Sequence, residues 1–407
     1  MAIDFNLLAL LVTGAVLLVV ALALARAGSG LGVPFLIGLV VVGIVEAALF
    51  PKPPQVQLDP PVLGLFLPAL IFEAAWNIDE AGLRRAAYSI FALAVPGTLL
   101  TAAIIAAAAF AAGVPAPSAL VLGAILGATD PVAVLALFRR LGLPGGLRTL
   151  VEGESIANDG VAAQLSLGLV GVAMGAPLVH GPAGLALEML AASFAGILIG
   201  IFVAFPAAAI LSRTRNVTVG VAVTLAAAYG AYALASPFYG SGIFASAAAG
   251  VAARAFFVRA PIQDEKRNLE IERFWEIIAF VANAAVFYLI GLSLRLEAIF
   301  GEPRLIAFVL LGTVVARLLL AYVVLPGRGL GPGWRNGVAL SGLRGGLSLA
   351  LALGLPVAMP GRQQVLDATF AIVFVTLVVQ GTLLAPVLQR LELRDDAGLE
   401  TAEASTG

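Results

Sequence analysis

GATDPVAV at residues 127 to 134 and EGESIANDG at residues 152 to 160 are short polar stretches set in otherwise apolar chain. They place Asp130, Glu152, Glu154 and Asp159 inside runs where a bilayer has to be. Charge at membrane depth is costly, so acids kept there mark an ion path or a proton relay. The fold is therefore read as a membrane bundle built around these two stretches.

Composition carries the same message outward. Over 407 residues the chain is 61% hydrophobic and 12% charged, with a mean hydropathy of +1.05. Ordinary globular domains carry about 25% charged residues, so no soluble domain is expected. The absence of cysteine excludes disulfides and thiolate metal sites. A net charge of −1 argues against nucleic acid. RGGLS at 344 to 348 lacks the Lys-Ser/Thr ending of a phosphate loop, so no nucleotide is expected either.

A hydrocarbon core takes about 20 apolar residues per helix. Thirteen such runs are read, at 5–25, 33–50, 60–77, 88–112, 117–138, 149–175, 183–211, 216–235, 239–257, 274–297, 303–325, 335–359 and 363–389. A membrane β-barrel would instead show strictly alternating segments of about ten residues. The predicted fold is an all-α polytopic membrane protein, one transporter domain over 1–407. The first run has no basic segment before it and reads as a spanning helix rather than a signal peptide. Seventeen of the 23 basic residues fall in loops after odd-numbered runs. Only Lys52, Arg304 and Arg362 follow even-numbered ones, and Arg295, Arg317 and Arg344 lie inside runs. Positive loops stay cytoplasmic, which puts the N-terminus outside and the C-terminus inside.

Thirteen helices divide into two inverted six-helix repeats, 1–175 and 216–389, joined by a linking helix at 183–211 and followed by a short cytoplasmic tail at 390–407. Inverted repeats place a binding site where Gly/Pro-interrupted helices stand at matching positions. Gly123, Gly127 and Pro131 interrupt the fifth run, and SGLRGGLSLALALGLP at 341–356 interrupts the twelfth. Both are expected to unwind near mid-membrane and to cross, leaving half-helix dipoles for a cation or a fixed charge.

Within EGESIANDG, Ser155 and Asp159 share one helix face, and Glu154 and Asn158 form a second pair about 100° round. Hard cations such as Na⁺ take carboxylate, hydroxyl, carbonyl and water oxygens. Thr129 and Asp130 on the fifth run are placed to complete such a shell. Glu73, in the apolar run LPALIFEAAWNID, also wants a cation or a proton. Asp130, just before Pro131, has a duller reading as the cap of the second half of a broken helix. Glu154 is left over for an intramembrane arginine, with Arg317 and Arg344 as candidates.

These motifs resemble the sodium/proton exchanger family, in particular the cation:proton antiporter branch of NhaP-like bacterial and archaeal exchangers and animal sodium/proton exchangers. GATDPVAV, the EGES segment with Asn158-Asp159, FWEIIAFVANAAVFYLIGLSL at 274–294 and GLRGGLSLAL at 342–351 carry the likeness in order along nearly the whole chain. The resemblance implies a homodimer exchanging one cation against protons, with Asp159 the essential carboxylate. It implies Na⁺ held by Asp159, Ser155, Glu73, Thr129 and Asp130, and it favours Arg317 as the partner of Glu154. The Asn158-Asp159 form, rather than two adjacent Asp residues, implies electroneutral exchange.

The leading function is thus Na⁺/H⁺ antiport by alternating access, with no cofactor beyond the transported ions. K⁺/H⁺ exchange uses the same ligand types, and Li⁺ is a further substrate of the same chemistry. A channel would call for a filter ring rather than an internal repeat, and a sensor for a soluble output domain. No nucleophile-base set marks an enzyme. Loop 254–273 reads as a solvated cytoplasmic face, and Glu46, Glu188, Glu276, Arg295 and Asp367 as helix-end residues that reach the interface. His180, the one histidine, falls in an outer loop. Abundant Ala, Gly and Arg point to a bacterial inner membrane.

Overall fold

The structure is a computed structural model. It describes residues 33–49, 60–131, 134, 135, 137, 138, 142–176, 181–258, 265–293, 297, 301–325, 332–380 and 387. Helices α1 (Val33–Leu49) and α2 (Pro60–Asn77) are followed by α3 (Glu80–Ala92), which runs through a π-turn at Leu93–Gly97 into α4 (Thr98–Ala111). Next come α5 (Ala116–Ile125), α6 (Gly145–Ala173), α7 (Gly181–Leu211), α8 (Val217–Ala235), α9 (Gly242–Val258) and α10 (Glu265–Ser293). Then follow α11 (Pro303–Leu319) and its π-turn Leu320–Val324, α12 (Pro332–Leu340), α13 (Gly346–Leu353), and α14 (Arg362–Val375) with a π-turn at Thr376–Gln380. No strand occurs among the described residues.

Twelve of the thirteen hydropathy runs coincide with these helices. The run at 5–25, the tail at 390–407, Arg295 and His180 lie outside the described residues. Five continuous helical stretches, Glu80–Ala111, Gly145–Ala173, Gly181–Leu211, Val217–Phe238 and Pro303–Val324, are long and apolar enough to cross a membrane. The protein is a multi-pass membrane protein.

The two helix starts that differ most from the hydropathy reading do so for one reason. Hydropathy sees only the apolar part of a helix, whereas the backbone ladder continues into polar turns. Helix α3 begins at Glu80 rather than 88 because Asp79 caps it, its carboxylate accepting from the amides of Ala81 (3.2 Å) and Gly82 (2.9 Å). Helix α10 begins at Glu265 rather than 274. That start also corrects the solvated-loop reading of 254–273. Arg267 is only 1% exposed, lies 4.6 Å from the Phe257 ring centroid, and donates to the carbonyls of Leu211 (2.9 Å) and Thr214 at the end of α7. Arg254 pairs with Glu272 at 2.6 Å and lies over Trp76. A cation at a helix C-terminus meets the negative end of the dipole, which is why Arg267 folds inward. Glu46 likewise has more than an interface to reach, accepting a 2.7 Å hydrogen bond from the Tyr288 hydroxyl.

The buried apolar residues fall into parts that locate the site. The largest cluster draws on α1, α3 to α6 and α10 to α14 and forms a core bundle. A second joins Phe72 and Trp76 of α2 to α7, α8, α9 and the first half of α10, forming a panel. A third lies between them: Ile71 and Ala75 of α2 and Ile243 and Ala247 of α9 meet Ala162 and Ala163 of α6, with Ala128 and Leu347 beside them. Lipid is as apolar as leucine, so helices here are held by close approach rather than by water exclusion. At Gly291 a Cβ would stand 2.1 Å from the Val40 carbonyl, which fixes the crossing of α1 and α10.

Candidate ion-binding site

Helix α5 stops at Ile125, and residues 126–131 are non-helical; α12 stops at Leu340, and 341–345 are non-helical. The two breaks cross. The Asp130 amide donates to the Leu343 carbonyl at 2.8 Å, and the Ser348 hydroxyl to the Ile125 carbonyl at 2.9 Å. Arg344 Nη1 donates to the carbonyls of Gly127 (3.3 Å) and Ala128 (3.0 Å), beyond the C-terminal end of α5. Asp130 Oδ2 accepts from the Gly346 amide (3.3 Å) at the N-terminus of α13. Each fixed charge thus faces the half-helix dipole of opposite sign, and broken backbone is tolerated at membrane depth because its polar groups are paired.

Gly345 makes this crossing possible. A Cβ there would lie 2.1 Å from both Cβ and Oδ2 of Asp130. Gly345→Ala is therefore expected to push Asp130 off the α13 terminus and to destabilise the protein by about 1–3 kcal/mol, the usual range for overpacking. A thermal unfolding curve of the detergent-solubilised variant checks it; an unchanged midpoint would show that the breaks part without cost.

Helix α6 runs past the crossing and binds it at Thr129. Asn158 Nδ2 donates to Thr129 Oγ1 (2.7 Å), Asn158 Oδ1 accepts from the Thr129 amide (3.4 Å), and the Ser155 hydroxyl donates to the Thr129 carbonyl (2.6 Å). All three residues are buried. Asp159 is the next residue along α6. Its Oδ1 is buried and has no hydrogen-bond partner among the described residues. An unsatisfied buried acceptor costs roughly 1–3 kcal/mol, more when charged. The Ser155 hydroxyl is committed to Thr129 and the Asn158 amide to Thr129 and to Glu154 Oε1 (3.4 Å), so a cation or a proton is what this oxygen can still take.

Glu154, on the other side of Asn158, is neutralised internally. Arg317 Nη1 reaches Glu154 Oε1 at 2.6 Å and Nη2 reaches Oε2 at 2.9 Å, while Nε donates to the Val338 carbonyl (2.8 Å) and Nη2 to Ser341 (2.7 Å). Arg344 was the alternative partner; its guanidinium is instead held by the Gly127 and Ala128 carbonyls.

The structure thus brings Thr129, Ser155 and Asn158 into one knot with Asp159 at its edge. Asp130 lies at the α13 N-terminus, and among the described residues no group of three or more His, Cys, Asp or Glu could hold a metal ion. Glu73 is half-buried on α2 and accepts from Asn77 at 2.8 Å. The sequence reading missed the backbone-capping work of Arg344, Ser348 and Gly345. The doubled glycine in GLRGG was the available signal, since only a residue without a side chain admits so close an approach.

A membrane-embedded helical protein in which two discontinuous helices cross beside a half-buried carboxylate is, by class, a secondary transporter of broken-helix architecture. Comparison with known proteins narrows the class. The family model described as sodium/hydrogen exchanger, transmembrane, matches residues 14–390. The Na⁺/H⁺ antiporter ApNhaP of Aphanothece halophytica is 34% identical over 378 residues, covering 89% of this chain and 71% of its own. The Na⁺/H⁺ antiporter NhaH of Halobacillus dabanensis is 31% identical over 342 residues, covering 81% and 83%. The fold matches that of the sodium proton antiporter MjNhaP1 from Methanocaldococcus jannaschii with a TM-score of 0.72 at 19% identity, covering 93% of this chain and 100% of that one. The chain belongs to the sodium/hydrogen exchanger family.

Proposed function

We propose that this protein exchanges Na⁺ for H⁺ across the membrane, one for one, with Asp159 binding either ion in competition. The observation that carries the reading is Asp159 Oδ1, buried at the edge of the Thr129–Ser155–Asn158 knot with no hydrogen-bond partner among the described residues. Glu154 is balanced by Arg317, and Asp130 and Arg344 face opposite helix dipoles, so Asp159 is the charge in this knot left to an exchangeable ion. An ionised empty site crosses a low-dielectric core only at high cost, so the carrier moves loaded and exchange is obligatory. A site neutralised alternately by one Na⁺ or one H⁺ moves no net charge. Glu73, on the panel side of the seam, is a further oxygen ligand on this reading. The names of the antiporter relatives support Na⁺ and H⁺ as the ions. The basic-loop asymmetry supports an external N-terminus and a cytoplasmic C-terminus, the matching broken helices support two inverted repeats, and the family likeness supports a homodimer in a bacterial inner membrane.

The test is purified protein in liposomes holding a pH-reporting dye, with Na⁺, Li⁺ or K⁺ added outside while the membrane potential is clamped. Na⁺-driven proton movement that ignores the clamped voltage is the expected outcome. Voltage-dependent flux would overturn one-for-one exchange, and flux with K⁺ alone would overturn the choice of ion.

A further inference from the structure

Helix α6 carries glycine at 160 and 168, and both face the panel rather than the core bundle. A Cβ on Gly160 would lie 2.5 Å from two ring atoms of Phe244 on α9 and 2.8 Å from a third. A Cβ on Gly168 would lie 2.3 Å from Leu185 Cδ1, in the first turns of α7. Each glycine is a notch, and each notch is filled by a side chain from the panel. The two notches are eight residues apart, about 12 Å along the helix at ~1.5 Å per residue. Around them the seam is made of small apolar side chains, Ala162 and Ala163 on α6 against Ile243 and Ala247 on α9. Contacts of that kind resist sliding only weakly, whereas a ring seated in a notch has one position from which it must be lifted.

We propose that Phe244 and Leu185 are detents: panel side chains seated in glycine notches of α6 that hold the carrier in the conformation described here. Phe244 is the stronger, because its ring cannot fold away from a new methyl group as the flexible end of Leu185 can. Gly160 directly follows Asp159, so lifting Phe244 from its notch is coupled to moving the ion-carrying segment of α6. The assignment rests on the antiport reading for its purpose, though not for its geometry.

The absence of native cysteine makes the test direct. Ala163→Cys puts a single thiol in the seam, where the native residue is 4% exposed. Labelling by a membrane-impermeant maleimide, from each face of reconstituted vesicles, then reports how often the seam opens. Gly160→Ala and Phe244→Ala, each in the Ala163→Cys background, are expected to raise the labelling rate by about tenfold, a shift in the population of open states. The double variant Gly160→Ala with Phe244→Ala is expected to label no faster than either single one, since both remove one interaction. Leu185→Ala, which removes volume rather than adding it, gives a second and smaller increase. Phe244→Ala carries the test if Gly160→Ala does not fold. Unchanged labelling in Phe244→Ala, or additive increases in the double variant, would overturn the detents. Labelling does not depend on transport: altered labelling in a protein that exchanges no ions would sink the antiport reading and leave the detents standing.

Discussion

Asp159→Asn is expected to yield a folded protein that moves no protons in response to Na⁺, with exchange lowered by about three orders of magnitude. Asparagine has almost the shape of aspartate, so the cost is chemical. The amide accepts no proton in the physiological range and offers a cation no opposing charge. A unit charge pair at ~4 Å is worth about 4 kcal/mol at an effective dielectric of about 20. At ~1.4 kcal/mol per decade, that is roughly a thousandfold in affinity. Folding is expected to survive because the bonds that tie α6 to the crossing run from Ser155 and Asn158 to Thr129 and do not involve Asp159. The buried Oδ1 has no partner among the described residues to lose, so an unfolding midpoint at or above that of the parent is the companion result. Exchange at more than a tenth of the parent rate, in protein that elutes as a single species, would mean that another carboxylate carries the ion. Glu73 would then be the first to examine.

What could be read from the sequence divides by the range of the interaction. Helix positions were legible because long apolar runs in a membrane protein have one structural outcome, and the breaks at 126–131 and 341–345 were legible because Gly127, Pro131 and the GLRGG glycines interrupt such runs. The knot was half legible. Spacing put Ser155 with Asp159 and Glu154 with Asn158, but that Thr129 would use its amide, carbonyl and hydroxyl to bind α6 required the path of the crossing. From the residues alone Arg317 and Arg344 were indistinguishable as partners for Glu154, since each lies more than 160 residues away and only the packed bundle sets their depth; the family likeness was what favoured Arg317. The π-turns at Leu93–Gly97 and Leu320–Val324 were not foreseen. Pro96 lies inside the first and was the one local sign of it. Arg267 was misread because its partners include the backbone carbonyls of Leu211 at the end of α7 and of Thr214 just beyond it, which no residue pattern announces.

Separating Glu154 from Arg317 is expected to be the most damaging change to stability. Glu154→Gln leaves a guanidinium that is 4% exposed without its counter-charge, and breaking a buried pair costs about 3–5 kcal/mol because the remaining charge is stranded. Arg317→Met strands the carboxylate and is expected to cost as much. Arg317→Lys keeps the charge but not the geometry: one ammonium cannot reach both Glu154 oxygens, the Val338 carbonyl and Ser341 together, so it is expected to fall between parent and Glu154→Gln. The informative protein is the double variant Glu154→Gln with Arg317→Met. If the pair holds α6 against α11 and the end of α12, removing both charges is less destabilising than the sum of the single changes, and the coupling measured from unfolding midpoints reports their interaction. Exchange by the double variant then shows what the pair is for. A lowered yield with an unchanged Na⁺ concentration for half-maximal exchange makes it a strut, which fits a carboxylate whose charge is spent on Arg317. A shifted half-maximal concentration in protein of parental stability would make Glu154 part of the ion site, and the one-charge argument for electroneutral exchange would have to be rebuilt with two acids.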